Sequence, residues 1–125
     1  MKRMFLIFSH KLTKEQEEDA KRGFGVEEFV YLPSKLQEIW SNIPPEAPKV
    51  EISELEKWLK KSLKKEDIVL VQGDFGATCK LVRFIKNFGA KAVYATTKRN
   101  AIEQVIDGKI IKKSIFEHVR FREYE

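Results

Sequence analysis

The chain has 125 residues, 42% hydrophobic and 34% charged, which suits one folded domain spanning 1–125 and argues against wholesale disorder. Its net charge of +5 is unevenly placed: residues 80–125 hold 11 Lys/Arg against 5 Asp/Glu, and residues 1–79 hold 13 against 14. The basic end suggests an anionic partner but is too weakly charged for a DNA-coating protein, and Cys79 with His10 and His118 makes neither a disulfide framework nor a standard zinc set, so no metal, cofactor or DNA partner is expected.

Residues 3–8 are a continuous apolar run, as a strand buried on both faces would be. Five apolar residues behind Lys2 and Arg3 are too few for a signal sequence or a membrane span, so a cytoplasmic location and no membrane partner are expected. Thr13-Lys-Glu-Gln16 has the spacing of a capping box and opens a polar helix that Gly23 is expected to stop. Residues 26–32 form a second strand. After Pro33, Ser34-Lys-Leu-Gln37 repeats the capping-box spacing and opens a short helix through Trp40, while Ile43-Pro-Pro-Glu-Ala-Pro48 reads as an extended loop. Ser53-Glu-Leu-Glu56 is a third capping box, followed by Leu55, Trp58, Leu59 and Leu63 at helical spacing.

Ile68-Val-Leu-Val71 is another doubly buried strand. Gly73-Asp-Phe-Gly-Ala-Thr78 then turns into a helix with Leu81, Val82, Ile85 and Phe88 on one face, ended by Gly89. Residues 92–95 form a fourth strand, and Thr96-Thr-Lys-Arg99 reads as the polar loop after it. Residues 102–106 and 110–116 flank Asp107-Gly108, a type I′ hairpin signal, and residues 119–122 form a last short strand.

Buried strands alternating with helices predict an α/β fold: a mainly parallel sheet of order 2-1-3-4, flanked by helices and extended by a C-terminal β-hairpin. In that order the first and third strands are central neighbours whose connections leave in opposite directions, so ligand is expected between their carboxyl ends. Three polar loops should converge there: Ser9-His10, Gly73–Thr78, and Thr96–Arg99. Gly73 and Gly76 allow close backbone approach to a phosphate at the helix N-terminus, and Thr78 adds a hydroxyl. Lys98 and Arg99 supply cations, and Ser9 and His10 reach a ribose or phosphate. These residues also have plainer readings: the glycines as a tight turn, Asp74 as an N-cap, Ser9 as a local turn former, His10 as a solvated loop residue, Thr96–Arg99 as an ordinary polar loop, Trp40 and Trp58 as packing.

Metal-free chemistry on RNA would suit these groups. The ribose 2′-OH is a built-in nucleophile, and orientation with charge stabilisation accelerates its in-line attack on the adjacent phosphate, with His10 as acid or base.

Phe8-Ser-His-Lys-Leu-Thr13, Tyr31-Leu-Pro33 followed by Ile39-Trp40, Gln72-Gly-Asp-Phe-Gly-Ala-Thr78, Tyr94-Ala-Thr-Thr-Lys-Arg99 and His118-Val-Arg-Phe-Arg122 occur in the order found in a small Csx-type family of type III CRISPR systems. The chain resembles that family over nearly its whole length. The resemblance implies a Rossmann-like nucleotide-binding domain acting as a ring nuclease: an enzyme that cuts the second messenger cyclic tetra-adenylate to linear di-adenylates with 2′,3′-cyclic phosphate ends, without a metal, and so ends the antiviral signal. It places ligand contacts at Ser9, His10, Gly73, Asp74, Phe75, Thr78, Thr96, Thr97 and Arg99, to which the loop reading adds Gly76 and Lys98. Of these, His10, Thr97 and Arg99 are assigned to the chemistry. A two-fold ligand also suggests a homodimer with half the ring on each subunit. Two alternatives use the same residues differently: a non-catalytic receptor or sponge for the ligand, and an RNA-binding or interaction module built on the basic C-terminal segment.

Overall fold

In a computed structural model describing residues 1–125, nine elements follow one another. They are β1 (Arg3–Ile7), α1 (Lys14–Phe24), β2 (Glu28–Tyr31), α2 (Ser34–Ser41), α3 (Ser53–Ser62), β3 (Ile68–Val71), α4 (Phe75–Phe88), β4 (Lys91–Ile106) and β5 (Lys109–Glu123). They make an α/β fold around one five-stranded sheet of order β2-β1-β3-β4-β5. The pairings β1·β2, β1·β3 and β3·β4 are parallel, and β4·β5 is antiparallel.

The central strands are apolar throughout because both of their faces are covered. Phe5 and Ile7 of β1, with Val69 and Val71 of β3, point into a core shared with α2, α3 and α4. Met4 and Leu6, with Ile68 and Leu70, point the other way into a smaller core closed by Ala20 of α1 and by Val93 and Phe121. The two-residue period of a strand thus divides one apolar run between two cores.

The sheet is mixed: β2, β1, β3 and β4 pair in parallel in the expected order, and the antiparallel β4–β5 pair is far longer than the expected hairpin. The parallel ladders hold four, four and three residue pairs, whereas β4 and β5 are paired at fourteen. Thr96-Thr-Lys-Arg99 is therefore no loop. Once β5 offers a continuous row of partners, backbone groups that would have to be solvated in a loop are satisfied in the ladder. Residues 119–122 likewise belong to β5 rather than to a separate strand. The expected turn is present: Asp107 and Gly108 both have positive φ, 52° and 77°, as type I′ geometry demands.

The helix ends differ from expectation in three places. Thr13 and Gln16 do form a reciprocal capping box, but α1 runs past Gly23 and ends at Gly25, which takes the left-handed conformation at φ 70°. Neither Ser34 nor Ser53 caps its helix: each is the first helical residue, behind Pro33 and Ile52. The Gln37 amide is engaged instead with the Phe8 carbonyl and the Ser41 hydroxyl, and the Ser53 N–H donates to the Glu51 carboxylate.

At the amino end of the sheet lies the one buried charge, Asp67, 1% exposed. Arg3 Nη2 donates to Asp67 Oδ2 at 2.6 Å and to the Ser62 carbonyl at 2.8 Å, and the Lys64 N–H donates to the same Oδ2 at 2.8 Å. That hydrogen-bonded carboxylate raises the Arg3 guanidinium above its ordinary value. At the other end, the Tyr124 hydroxyl donates to the Val71 carbonyl at 2.6 Å. Burial, with smaller contributions from Tyr94 and Cys79, raises the Tyr124 phenol.

Arg3→Met strands the Asp67 carboxylate and should cost about 3 kcal/mol, whereas Asp67→Asn, which leaves a hydratable arginine, should cost less. Urea unfolding at neutral pH gives the order, and equal costs would mean that Asp67 is not sealed from water. The Tyr124 stabilisation has the sign of a raised acid: complete below the unfolded phenol value, and lost as pH rises through the folded one. Thermal unfolding followed into alkaline pH should therefore lose a component that Tyr124→Phe lacks.

Candidate functional site

The carboxyl ends of β1 and β3 are finished by side chains that return to the backbone. Trp40 Nε1 donates to the Gln72 carbonyl at 3.0 Å, while Gln72 Oε1 accepts the Ala95 N–H at 2.7 Å. Gln72 therefore ties the end of β3 to both α2 and β4. A Cβ on Gly73 would lie 2.8 Å from Trp40 Nε1, so the glycine is required by the indole. At Gly76 the nearest atom is Val50 Cγ2 at 3.2 Å, which also reads as packing. Asp74 Oδ2 accepts the Ala77 N–H at 2.9 Å and caps α4 with its own negative charge. Phe75, at the first helical position, is 93% exposed.

The expected convergence is partial: His10 of the first segment and Thr97 of the third meet beside Gln72 at the end of β3, whereas Gly73–Thr78 is taken up by packing and its cap. A cleft of about 530 Å³ opens there on the α1 side of the sheet, bounded by Phe8 and Gln72 just past β1 and β3, by the N-terminus of α1 and by the base of the β4–β5 hairpin. His10, Lys11, Lys14, Gln72, Thr97 and His118 supply the polar lining that carries its chemistry. Thr13, Glu15 and Gln16 also face it, so the positive end of the α1 dipole is directed there.

Of the sequence-derived candidates, His10 and Thr97 line this cleft. His10 is exposed, with the Phe8 ring edge-on at 6.2 Å. Ser9 turns toward α2, its hydroxyl 2.9 Å from that of Ser41. Thr96 is absorbed by the ladder: its hydroxyl donates to the Arg120 carbonyl at 2.8 Å, beside the bulge that separates Thr96 from Thr97. Arg99 donates from Nε and Nη2 to the Ser114 hydroxyl at 3.0 and 2.9 Å. Lys98 alternates to the opposite face of the strand from Thr97. Gly73, Asp74, Phe75, Gly76 and Thr78 lie outside the cleft lining. The Thr78 hydroxyl is buried without a partner, alongside Tyr124 and Glu125.

Sequence reading missed the pair His118 and Asp19. His118 Nε2 lies 2.7 Å from Asp19 Oδ2, with the imidazole 5% exposed and its centroid 4.8 Å from that of the Phe121 ring, the two planes tilted by 50°. Its Nδ1 has no partner and is shielded from solvent. The pair fastens α1 to β5 and fixes one side of the cleft. No local pattern announces it, since the two residues are 99 apart in sequence.

Residues 2–122 match the model of a family described as the Uncharacterized protein MJ1673 family. The chain belongs to that family. A relative from Methanocaldococcus jannaschii, Uncharacterized protein MJ1673, is 48% identical over 126 residues, covering 99% of this chain and 98% of that protein. No solved structure matches the chain. No helix is long and apolar enough to cross a membrane.

In this MJ1673-family chain, Gly73→Ala should displace Trp40 and cost roughly 1–3 kcal/mol by overpacking. Gly76→Ala, facing one movable Val50 methyl at the start of a helix, should stay within about 1 kcal/mol of the parent. Denaturant midpoints and Trp fluorescence measure both. An unchanged midpoint for Gly73→Ala would return that glycine to the ligand.

Proposed function

We propose that the chain is a cytoplasmic, Rossmann-like ring nuclease that binds cyclic tetra-adenylate and opens it to linear di-adenylates, terminating type III CRISPR signalling. The observation that carries the reading is the cleft beside the carboxyl end of β1. It gathers His10, Lys11, Lys14 and Thr97 at a helix N-terminus, a set suited to a ribose phosphate. At about 530 Å³ it has room for one or two nucleotides rather than a whole ring. That size favours a homodimer in which each subunit holds half of a two-fold ligand.

In the proposed reaction the 2′-oxygen of one adenosine attacks the adjacent phosphorus, and the bond to the 5′-oxygen breaks. A 2′,3′-cyclic phosphate forms, and the leaving 5′-oxygen takes a proton. His10 exchanges protons with these oxygens. Lys11, Lys14 and the α1 N-terminus hold the phosphate charge, and the Thr97 hydroxyl orients the ribose. Asp19 fixes the His118 ring in the wall of the cleft. Two such cleavages convert the ring to two di-adenylates.

The second reading, a receptor or sponge for the same ligand, is favoured by the position of Arg99. It was expected in the chemistry, yet its guanidinium is bonded to Ser114 along the hairpin.

Incubation with cyclic tetra-adenylate in EDTA should yield di-adenylate ends bearing cyclic phosphate. His10→Ala should slow this by about 100-fold. Stoichiometric binding with an intact ring would establish the receptor instead. Loss of both binding and cleavage from the parent protein would overturn the reading altogether.

A further inference from the structure

Beyond the cleft, β4 and β5 continue as a two-stranded arm from Thr97 and His118 to the turn at Asp107-Gly108. No residue between Thr97 and Glu117 is buried. A two-stranded ribbon with nothing against its faces is marginal in water. This one nevertheless carries Ile102, Val105, Ile106, Ile110, Ile111, Ile115 and Phe116 in exposed positions.

The ladder register sorts these residues onto two unlike faces. One face presents the cross-strand pairs Lys98/Glu117, Asn100/Ile115, Ile102/Lys113, Gln104/Ile111 and Ile106/Lys109. Four isoleucines therefore run along its length, with Glu117 at the base and Lys109 at the tip. The other face presents Arg99/Phe116, Ala101/Ser114, Glu103/Lys112 and Val105/Ile110. There the Arg99–Ser114 bonds and a charged pair interrupt the apolar surface.

We propose that the isoleucine face of the arm packs on the same face of a second copy of this chain, the two arms running in opposite directions about a two-fold axis. The side-chain pattern is self-complementary in that arrangement. Ile102 meets its own equivalent at the axis, Ile115 meets Ile111 of the second copy, and Glu117 at each base meets Lys109 at the opposite tip. Arms running in the same direction would set Ile115 on Asn100, Ile102 on Lys113 and Ile111 on Gln104, leaving each isoleucine on a polar side chain. The reversed arrangement has two costs: Ile106 at each tip meets Lys98 of the other arm, and the two Lys113 residues approach each other, although the long lysine stems can cover apolar surface and carry their charges outward past the open edge of the arm. The face spans nine residues per strand, about 30 Å, and is two strands wide, small for a permanent dimer, so association follows concentration.

The inference stands apart from the ligand reading, because it rests only on the arm. Sedimentation velocity over a dilution series of about three decades should take the parent chain from dimer to monomer. Ile102→Lys with Ile111→Lys should be monomeric throughout. Val105→Lys with Ile110→Lys, which removes comparable apolar surface from the opposite face, should dimerise like the parent. Glu117→Lys should weaken the dimer by about fivefold, and adding Lys109→Glu should restore it, a rescue that general damage to the arm could not produce. A parent chain monomeric at every concentration overturns the proposal, as does equal loss of dimer from both lysine pairs or failure of the rescue. A monomeric variant that still binds cyclic tetra-adenylate would separate the fate of this interface from that of the ligand reading.

Discussion

Met4, Phe5, Leu6 and Ile7 are closed to water, as are Ile68, Val69, Leu70 and Val71 beside them, and neighbouring residues on each strand point into opposite cores. A strand sealed on both faces can satisfy its backbone only through neighbouring strands. The parallel pairing of β1 with β3 follows, and with it the need for helices on both sides. Polar side chains are excluded from these strands and collect at their ends. At the amino end the result is the Arg3–Asp67 pair, and at the carboxyl end the ties made by Trp40, Gln72 and Tyr124.

Those ties decide what the switch point can be used for. The turn after β3 is filled by the Trp40 indole on one side and capped by Asp74 on the other. The usable cavity lies beside α1, where the bulge after Thr96 sets Thr97 opposite His118. Asp19 holds His118 and thereby α1, so the wall of the cleft and the root of the arm are mechanically one unit. Anything that repacks the arm acts on the same strand pair that carries Thr97 and His118.

The architecture was legible wherever a local rule suffices. The apolar runs gave the central strands, Thr13 with Gln16 gave the start of α1, and Asp107-Gly108 gave the turn. Legibility failed where a polar side chain had more than one partner to choose from. Gln37 fits a capping box by spacing but bonds Phe8 and Ser41, and Thr96-Thr-Lys-Arg99 fits a loop by polarity but extends β4. Gly73 resembled a phosphate-binding glycine, and the residue that requires it, Trp40, is far away in sequence.

By itself, the sequence determined an α/β chain with doubly buried strands, polar residues following them and a basic, hairpin-forming C-terminal segment. These follow from periodicity, turn stereochemistry and charge, which are properties of neighbouring residues. Only the tertiary structure decided that the cleft lies against α1, that Asp19 holds His118 in its wall, that Arg99 is committed to Ser114, and that four isoleucines line one face of an unsupported arm. Each of these depends on which distant segments meet and in what register. A shift of one residue in the β4–β5 ladder would exchange the faces, so no local pattern fixes them.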